Sequence, residues 1–284
     1  MRFEHSSISG VGVGLRTPHY HDILTTRPSV PWFEAITENY LGEKALPQHH
    51  LFKIREHYPI TLHGVSLSVG SADPIDWDYL KWLKQLAKDL EAPFISDHLC
   101  WTGVNGRFIP DLLPLPYRED VIKHVVEKIN QIQDFLGQQI LLENVSRYID
   151  FPGEMSECAF LSEVATRADC FILLDINNIY VNAKNHAFNE MAYLKAIPQD
   201  RVKQFHLAGF EDEKTHLLDS HGAPVSKPVW DLFKEAIDIL GPLPTIIEWD
   251  NNLPTFERLL QESHFAKHLI EKPLIEKQAM EKQT

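Results

Sequence analysis

The chain has 284 residues, of which 44% are hydrophobic and 24% charged, and its formal net charge is −13. This acidic balance argues against non-specific nucleic-acid binding, because no excess of Lys and Arg is present to displace counterions from phosphates. No stretch approaches the roughly 18 apolar residues of a membrane span, and the opening MRFEHSSISG lacks the apolar segment of a signal peptide. We therefore expect a cytoplasmic protein without nucleic-acid or membrane partners.

Short apolar runs alternate with helix-like stretches along the chain. The runs predict strands at 10–15, 32–39, 60–67, 94–101, 140–146, 171–178, 202–209 and 245–250. Apolar residues at helical spacing predict helices at 76–92, 117–137, 156–168, 229–240 and 254–263. This alternation predicts an α/β fold, a TIM-type (β/α)8 barrel, with residues 1–284 forming one domain. We expect a loose or surface-docked charged tail from about residue 266 to 284.

Almost every predicted strand ends in side chains that bind metals or form hydrogen bonds. These side chains are Glu38, Asn39, His63, Asp97, His98, Glu143, Asn144, Asp175, Asn177, Asn178, His206, Glu248 and Asp250. In this barrel class the carboxyl ends of the strands form the active-site face. A ring of carboxylates and imidazoles would repel itself unless cations occupied it, so the pattern predicts a metal centre. Oxygen and imidazole donors without thiolate favour iron, manganese or zinc over calcium or magnesium.

The donors are too many for one ion. One predicted ion position uses donors on the fifth to eighth strands: Glu143, Asp175, His206 and Glu248. A second uses His63 and His98, with Glu143 bridging the two positions. A third combines His186 with Asp219 and His221, which lie two residues apart in LLDSHGAPV and face the same way if that segment is extended.

Neighbouring residues in a strand point to opposite faces, which separates ligands from supporting residues. We expect His98 to be a ligand and Asp97 to orient it, and the same argument separates Glu143 from Asn144. Asn177 and Asp250 are also expected to support the ligands.

Several other features are better explained by structure than by chemistry. His19 and His21 in PHYH follow the first strand, where nothing else polar clusters. Six further histidines lie in helical or loop stretches and are expected to be solvated: His49, His50, His57, His124, His264 and His268. GVGVGL lacks the third glycine of a dinucleotide fingerprint, so it predicts tight packing. The three cysteines are scattered and predict neither disulfides nor a thiolate zinc site, and Cys100 beside Trp101 is expected to be a packing residue.

The set of motifs resembles one enzyme family along nearly the whole chain. The matching stretches are GVGLRTPHY, ENYLG, LHGVSLSVGSADP, SDHLCWTG, DLLPLPY, LLENVS, EMSE, LLDINNIYVNAKNH, HLAGF, DSHGAPV and IIEWD. Each is weak alone, but as a set they resemble the multinuclear non-haem iron-dependent oxidative enzymes. The resemblance is nearest to the branch that matures bufferins, which are small cysteine-rich metal-binding peptides.

The resemblance implies a xylose-isomerase-like TIM barrel that holds two or three iron ions. It implies an O2-dependent oxidation of cysteine residues in a ribosomally made precursor peptide, with peptide recognition by a separate partner protein. The ligands that it implies are His63, His98, Glu143, Asp175, Asn178, His186, His206, Asp219, His221 and Glu248. The choice of Asn178 over Asn177 rests on the resemblance alone. We expect His63, Glu143 and Asp219 to be required for catalysis.

Two other hypotheses fit parts of the pattern. A divalent-metal isomerase or hydrolase, like the sugar isomerases and endonucleases that share this kind of barrel, would need only Lewis-acid chemistry and would work without O2. The acidic balance argues against DNA as its substrate, and no lysine lies beside the ring to shuttle protons. A metal-storing or scaffold protein without turnover would keep the ligands but would need no open coordination position.

Overall fold

The computed structural model describes residues 8–42 and 45–281. Over these residues the strands are, in chain order, β1 (Val11–Leu15), β2 (Phe33–Ile36), β3 (Ile60–His63), β4 (Ile95–His98), β5 (Trp101–Val104), β6 (Arg107–Leu113), β7 (Leu141–Glu143), β8 (Phe171–Asp175), β9 (Val202–Leu207), β10 (Glu211–Asp212), β11 (Leu217–Leu218) and β12 (Thr245–Ile247). The α-helices of the same part of the chain are α1 (Tyr20–Thr26), α2 (Ala45–Arg55), α3 (Trp77–Leu90), α4 (Glu119–Leu136), α5 (Glu157–Arg167), α6 (Ile176–His186), α7 (Glu190–Ala196), α8 (Lys227–Leu240) and α9 (Phe256–Glu281).

The barrel closes through parallel pairing in the order β1-β12-β9-β8-β7-β4-β3-β2, with β2 paired to β1. Each barrel strand falls inside one of the eight predicted runs, and helices connect them. The predicted TIM-type (β/α)8 barrel is therefore confirmed. Two small antiparallel pairs, β5 with β6 and β10 with β11, lie outside the barrel among the described residues.

The barrel strands are apolar along their length because both faces are covered, by helices outside and by packed side chains inside. All five residues of β1 are buried. A Cβ atom on Gly12 would lie 2.7 Å from the carbonyl oxygen of Trp32, so β1 packs there at a distance that only glycine permits. This close approach supports the interpretation of GVGVGL as a packing motif.

The predicted helices at 76–92 and 117–137 correspond to α3 and α4, and their apolar stripes face the barrel. The Asp76 side chain caps α3 by accepting hydrogen bonds from the backbone N–H groups of Asp78 and Tyr79. Gly137 ends α4 in the left-handed conformation, with φ of 82°.

The predicted strand at 171–178 is too long. β8 ends at Asp175, whose side chain accepts a 2.6 Å hydrogen bond from the N–H of Asn178 and so caps α6. Asn177 and Asn178 therefore lie in the first turn of a helix, and helical rather than strand geometry decides where their side chains point.

Several elements were not predicted: α1, α2, α6, α7 and the β5–β6 hairpin. The predicted helix at 254–263 is also too short, since α9 continues to Glu281 and includes most of the segment expected to be a tail. Ala266 and Ile270 on α9 are buried, which extends its contact with the barrel beyond the predicted end. Among the described residues, no helix combines the length and the apolar character needed to cross a membrane.

Candidate metal centre

The barrel brings most of the predicted donors to one rim. His63, His98, Glu143 and Asp175 are the last residues of β3, β4, β7 and β8. His206 is the penultimate residue of β9, and Glu248 directly follows β12. Since all these strands run parallel, their carboxyl ends meet at the same end of the barrel. These six side chains are almost fully buried.

Glu143 lies at the centre of the cluster. Its Oε2 atom is 3.3 Å from Nε2 of His63 and 3.5 Å from Nε2 of His98. Its other oxygen, Oε1, is 3.6 Å from Nδ1 of His206. One carboxylate therefore faces two histidines with one oxygen and a third histidine with the other, the arrangement expected of a bridging ligand.

His206 lies between two carboxylates. Its Nδ1 atom is 2.9 Å from Oε2 of Glu248, and its Nε2 atom is 2.7 Å from Oε1 of Glu34. Glu34 comes from the middle of β2 and is buried below the rim.

A second group of donors adjoins Glu248. Nε2 of His221 is 2.7 Å from Oδ1 of Asp219, and Nδ1 of the same ring is 3.0 Å from Oδ2 of Asp250 and 3.4 Å from Oε2 of Glu248. His221 has a positive φ of 46°, so a left-handed turn rather than an extended segment places its ring beside Asp219. The sequence correctly paired Asp219 with His221, but the extended geometry from which that pairing was inferred is wrong.

The donors can hold metal ions in several overlapping triads. The triads of buried residues whose ligand atoms all lie within 4.8 Å of one another are His63, His98 and Glu143; Glu143, Asp175 and His206; Asp175, His221 and Glu248; and Glu34, His63 and His206. Glu143, Asp175 and His206 each belong to two triads, so neighbouring ions would share ligands.

Buried atoms without hydrogen-bond partners support metal binding here. Oε2 of Glu143, Oδ2 of Asp175 and Nδ1 of His206 are buried and lack such a partner among the described residues. Leaving a buried polar atom unpaired costs about 1–3 kcal/mol, and more when it is charged. A cation would satisfy all three atoms. The carboxylate and imidazole donors fit iron, manganese or zinc, as the sequence predicted.

The protonation equilibria of the cluster are strongly perturbed. Burial alone would lower the pKa of His98, but the carboxylates of Glu143, Asp97 and Glu248 together outweigh burial and raise the pKa to about 9. Burial, reinforced by Glu143, raises the pKa of Asp175 well above its usual value. Burial would also raise the pKa of Glu248, yet His206 and His221 hold it well below the usual range. The metal-free cluster therefore holds protons where a metal-loaded cluster would hold cations.

The four predicted supporting residues all lie at the cluster, in different roles. Asn144 exchanges two hydrogen bonds with the backbone of Asp175, at 2.9 and 3.0 Å, and so fixes the end of β8 against β7. Asp250 contacts His221. Asp97 accepts hydrogen bonds from the backbone of Leu67 and His98. Nδ1 of His98 bonds the carbonyl of Gly64 at 3.1 Å and lies 3.8 Å from Oδ1 of Asp97, so Asp97 contacts the backbone of His98 directly and lies near its ring.

Asn177 contacts Asp219 directly, and Asn178 is linked to Asp219 through Ser146. Nδ2 of Asn177 donates to Oδ1 of Asp219 at 2.8 Å. Oδ1 of Asn178 accepts a 2.7 Å hydrogen bond from the hydroxyl of Ser146, which also lies 2.9 Å from Oδ2 of Asp219. Ser146 thus links Asn178 to the third predicted ion position.

His186 is the predicted ligand that lies apart from the others. Its Nε2 atom is 2.9 Å from the carbonyl of Arg147, and its Nδ1 atom is 3.1 Å from Oδ2 of Asp150. The structure therefore places it against the loop after β7 and does not bring it together with Asp219 and His221.

Sequence analysis missed two residues of the cluster. Glu34 interrupts the apolar run WFEAITEN, and a charged residue inside a predicted buried strand was the signal that could have identified it. Arg16 follows β1, the one strand without a predicted metal-binding residue. Its guanidinium lies 2.6 Å from Asp250 and 3.4 Å from Glu248. It supplies positive charge to an otherwise acidic rim.

Residues excluded as ligands have other partners. Nε2 of His19 lies 2.9 Å from the carbonyl of Pro254. Oε1 of Glu38 accepts hydrogen bonds from Val65 N–H and the Tyr79 hydroxyl, so it supports the segment after β3. Cys100 is fully buried, and burial raises the pKa of its thiol well above its usual value, as expected of a packing residue.

A cavity of about 540 Å³ lies next to the loop after β7. This loop links the cavity to the metal cluster, because Ser146 contacts the cluster and the adjoining Arg147 lines the cavity. Most of the lining is apolar and includes Ile149, Phe151 and Phe188, while His186 and Asp150 contribute its polar side. A second cavity of about 480 Å³ also has Phe151 in its wall.

The chain matches a family model described as "RiPP precursor modification enzyme MbnB/TglH/ChrH" over residues 10–271, where RiPP denotes a ribosomally synthesised and post-translationally modified peptide. A UPF0276 protein of Acaryochloris marina is 52% identical over 262 residues, which cover 92% of this chain and 95% of that protein. Two solved structures resemble the fold. A xylose isomerase domain protein from Alicyclobacillus acidocaldarius has a TM-score of 0.60 and 14% identity, covering 94% of this chain and 98% of that chain. Endonuclease IV from Thermus thermophilus has a TM-score of 0.60 and 14% identity, covering 94% of this chain and 100% of that chain.

Proposed function

The chain belongs to the MbnB/TglH/ChrH family of RiPP precursor modification enzymes, and from that premise we propose that it uses iron and O2 to oxidise cysteine residues of a precursor peptide. The proposed substrate is a small cysteine-containing peptide of the bufferin type. A separate partner protein is proposed to present this peptide, as the family resemblance implies, because the acidic surface of this chain would itself attract only a basic peptide.

The observation that carries the proposal is the position of Glu143 between two histidine groups. One oxygen faces His63 and His98 and the other faces His206, at 3.3 to 3.6 Å. Single-ion hydrolases and isomerases do not require such a shared carboxylate. A bridging carboxylate between imidazole-rich positions suits two neighbouring ions, and the family match favours redox-active iron over the inert ions of a two-metal hydrolase.

The proposed ligands are those that the sequence predicted. His63, His98 and Glu143 would hold one iron, and Glu143, Asp175, His206 and Glu248 the next. Asp219 and His221, with an Asn178 or Asn177 oxygen, are the proposed donors of a third. His186, the remaining predicted ligand, would reach this position only if the loop after β7 rearranged on metal binding. Iron bound there would supply one-electron redox chemistry and a Lewis-acidic position for a thiolate and O2.

The protein itself contributes orientation and the exclusion of water. Ser96 lies 2.8 Å from Nδ1 of His63 and fixes its ring, so that Nε2 faces Glu143. Burial of the donors removes competing water ligands and lowers the local dielectric. Asp219 is accessible enough, at 14% side-chain exposure, to meet an incoming peptide. We propose that His63, Glu143 and Asp219 are required for turnover.

The cavity next to the loop after β7 supports a peptide as substrate. Its size and mostly apolar wall suit a peptide side chain next to the reacting cysteine. Arg147 in its wall pairs with both Asp150 and Glu157, so the cavity contains no unpaired cation for an anionic ligand.

The experiment is coexpression of the protein with a cysteine-containing small peptide of the bufferin type and with a candidate partner protein chosen from the genes around its own. The peptide is analysed by mass spectrometry after aerobic and anaerobic incubation with iron-, manganese- or zinc-loaded protein. We expect a mass change only with iron and O2. No change with iron and O2 would contradict the proposal. A metal-dependent reaction that proceeds equally without O2 would instead support a divalent-metal isomerase or hydrolase.

A further inference from the structure

The three histidines that face Glu143 differ in the partner of the ring nitrogen that faces away from Glu143. Nδ1 of His63 bonds the hydroxyl of Ser96, and Nδ1 of His98 bonds the carbonyl of Gly64. Both of these hydrogen-bond partners are neutral, and the nearest carboxylate to Nδ1 of His98, Oδ1 of Asp97, is 3.8 Å away. Nε2 of His206 instead lies 2.7 Å from a carboxylate, Oε1 of Glu34.

The surroundings of Glu34 favour an ionised carboxylate that accepts hydrogen bonds. It is 3% exposed, and its second oxygen, Oε2, accepts hydrogen bonds from the Thr61 hydroxyl at 3.1 Å and from Nε2 of Gln204 at 2.6 Å. The register of β2 and β3 puts Glu34 directly opposite Thr61, so the backbone of the barrel fixes this contact. Each of these polar neighbours donates to the carboxylate, which stabilises its charged form.

The opposite nitrogen of His206 faces the metal cluster. Nδ1 is 2.9 Å from Glu248 and 3.6 Å from Glu143, and among the described residues it lacks a hydrogen-bond partner with good geometry. When Nδ1 binds a cation, the ring proton resides on Nε2 and is donated to Glu34. A carboxylate in that position makes the imidazole a stronger donor to its metal than a hydroxyl or a carbonyl does.

We propose that Glu34 is a positioning residue that makes the His206 ion position more electron-rich than the His63–His98 position. This inference rests on the proposed function and adds to it which of the two ions is the more easily oxidised. In a one-electron-oxidised pair, the ferric ion is the one held by His206, and the ferrous ion is the one held by His63 and His98.

The other charged side chains around the two ion positions also favour the ferric ion at the His206 position. The His206 position is faced by the carboxylates of Glu143, Asp175 and Glu248. The triad of His63 and His98 contains one carboxylate, the shared Glu143, while Asp97 lies 3.8 Å from Nδ1 of His98, the ring nitrogen that faces away from Glu143. Arg16 offsets part of this charge, since its guanidinium is 3.4 Å from Glu248 and 2.6 Å from Asp250. An excess of negative charge remains at the His206 position, and anionic surroundings stabilise ferric over ferrous iron.

The test compares Glu34→Gln with Ser96→Ala in protein loaded anaerobically with ⁵⁷Fe and no peptide. Glutamine keeps the shape and an acceptor oxygen but removes the charge. Ser96→Ala is the matched control, because it removes the neutral partner of the His63 ring. Each protein is titrated through the one-electron couple and followed by Mössbauer spectroscopy, with iron content and thermal unfolding measured alongside.

We expect Glu34→Gln to lower the ferric-to-ferrous ratio at a fixed potential about tenfold or more, equivalent to a rise of about 59 mV for a one-electron couple. Ser96→Ala should shift this ratio much less. Selective loss of the His206-bound iron from Glu34→Gln also supports the inference, since such partners typically contribute about 10–100-fold to metal affinity. The inference would be overturned if Glu34→Gln left the ferric-to-ferrous ratio unchanged, or if Ser96→Ala shifted this ratio equally. Loss of iron from both positions in Glu34→Gln would also overturn it. A wild-type protein without two coupled irons would overturn the proposed function itself.

Discussion

Glu143 and His63 meet across the barrel rim, with 3.3 Å between Oε2 of the carboxylate and Nε2 of the imidazole. They lie on β7 and β3, which are separated in the barrel by β4. The contact leaves Oε2 buried without a hydrogen-bond partner among the described residues, and a cation would satisfy this oxygen.

Replacing Glu143 should disrupt two ion positions at once. We expect Glu143→Gln to bind less iron at both the His63–His98 and His206 positions and to lose activity by about 100-fold or more, because the amide is a weak, neutral ligand. Glu163→Gln on the exposed face of α5 is the matched control. Metal analysis and peptide mass spectrometry measure both effects, and wild-type iron content in Glu143→Gln would exclude Glu143 as a bridge.

His186 and Asp219 were predicted to share a metal, but the structure separates them. Both nitrogens of His186 are engaged, by Arg147 and Asp150. From this placement we expect His186→Ala to retain its iron and lose at most about tenfold in activity. Asp219→Ala should abolish turnover and lose only the iron bound beside His221. If His186→Ala loses the same iron, the loop after β7 rearranges on metal binding and His186 is a ligand.

The metal-free protein should lose stability as the pH rises. The pKa of His98 is about 9 in the folded protein, above the roughly 6.5 of an unfolded chain. Protonated His98 therefore stabilises the fold fully below about pH 6.5, and this contribution, on the order of 3 kcal/mol, is lost as the pH rises through about 9. Denaturant unfolding of chelator-treated wild type and His98→Asn between about pH 6 and pH 10 tests this. A constant difference between the two proteins would contradict it.

The cavity next to the loop after β7 should contribute to peptide binding. Phe151 lines both cavities and is 39% exposed. We expect Phe151→Ala to raise the KM for the peptide about tenfold with kcat and iron content unchanged, since burying an aromatic ring contributes about 1.5–3 kcal/mol. The control is Phe265→Ala, a similarly exposed ring on α9. Equal KM values for the two variants would place the peptide elsewhere.

The barrel could be predicted because each strand is buried on both faces and therefore appears as a continuous apolar run. The rim could be predicted because parallel strands bring their carboxyl ends together, so that His63 and Glu248 meet although most of the chain separates them. Elements defined by local capping were missed. The Asp175 cap that starts α6 is one example, since an aspartate at a strand end is equally compatible with a metal ligand.

The residues that tune the cluster were harder to predict than its ligands. Glu34 lies one layer below the rim, so its role depends on the orientation of the His206 ring rather than on strand-end position. The left-handed turn at His221 and the engagement of His186 by Arg147 also depend on loop geometry that side-chain periodicity does not encode.

The most direct test of the account is the iron content and Mössbauer spectrum of the protein purified without O2. We expect two or more irons per chain with coupled or mixed-valence signals, since the overlapping donor triads offer more than one ion position. A single zinc or manganese, with no iron bound even after ferrous reconstitution, would contradict it and would favour a divalent-metal isomerase or hydrolase.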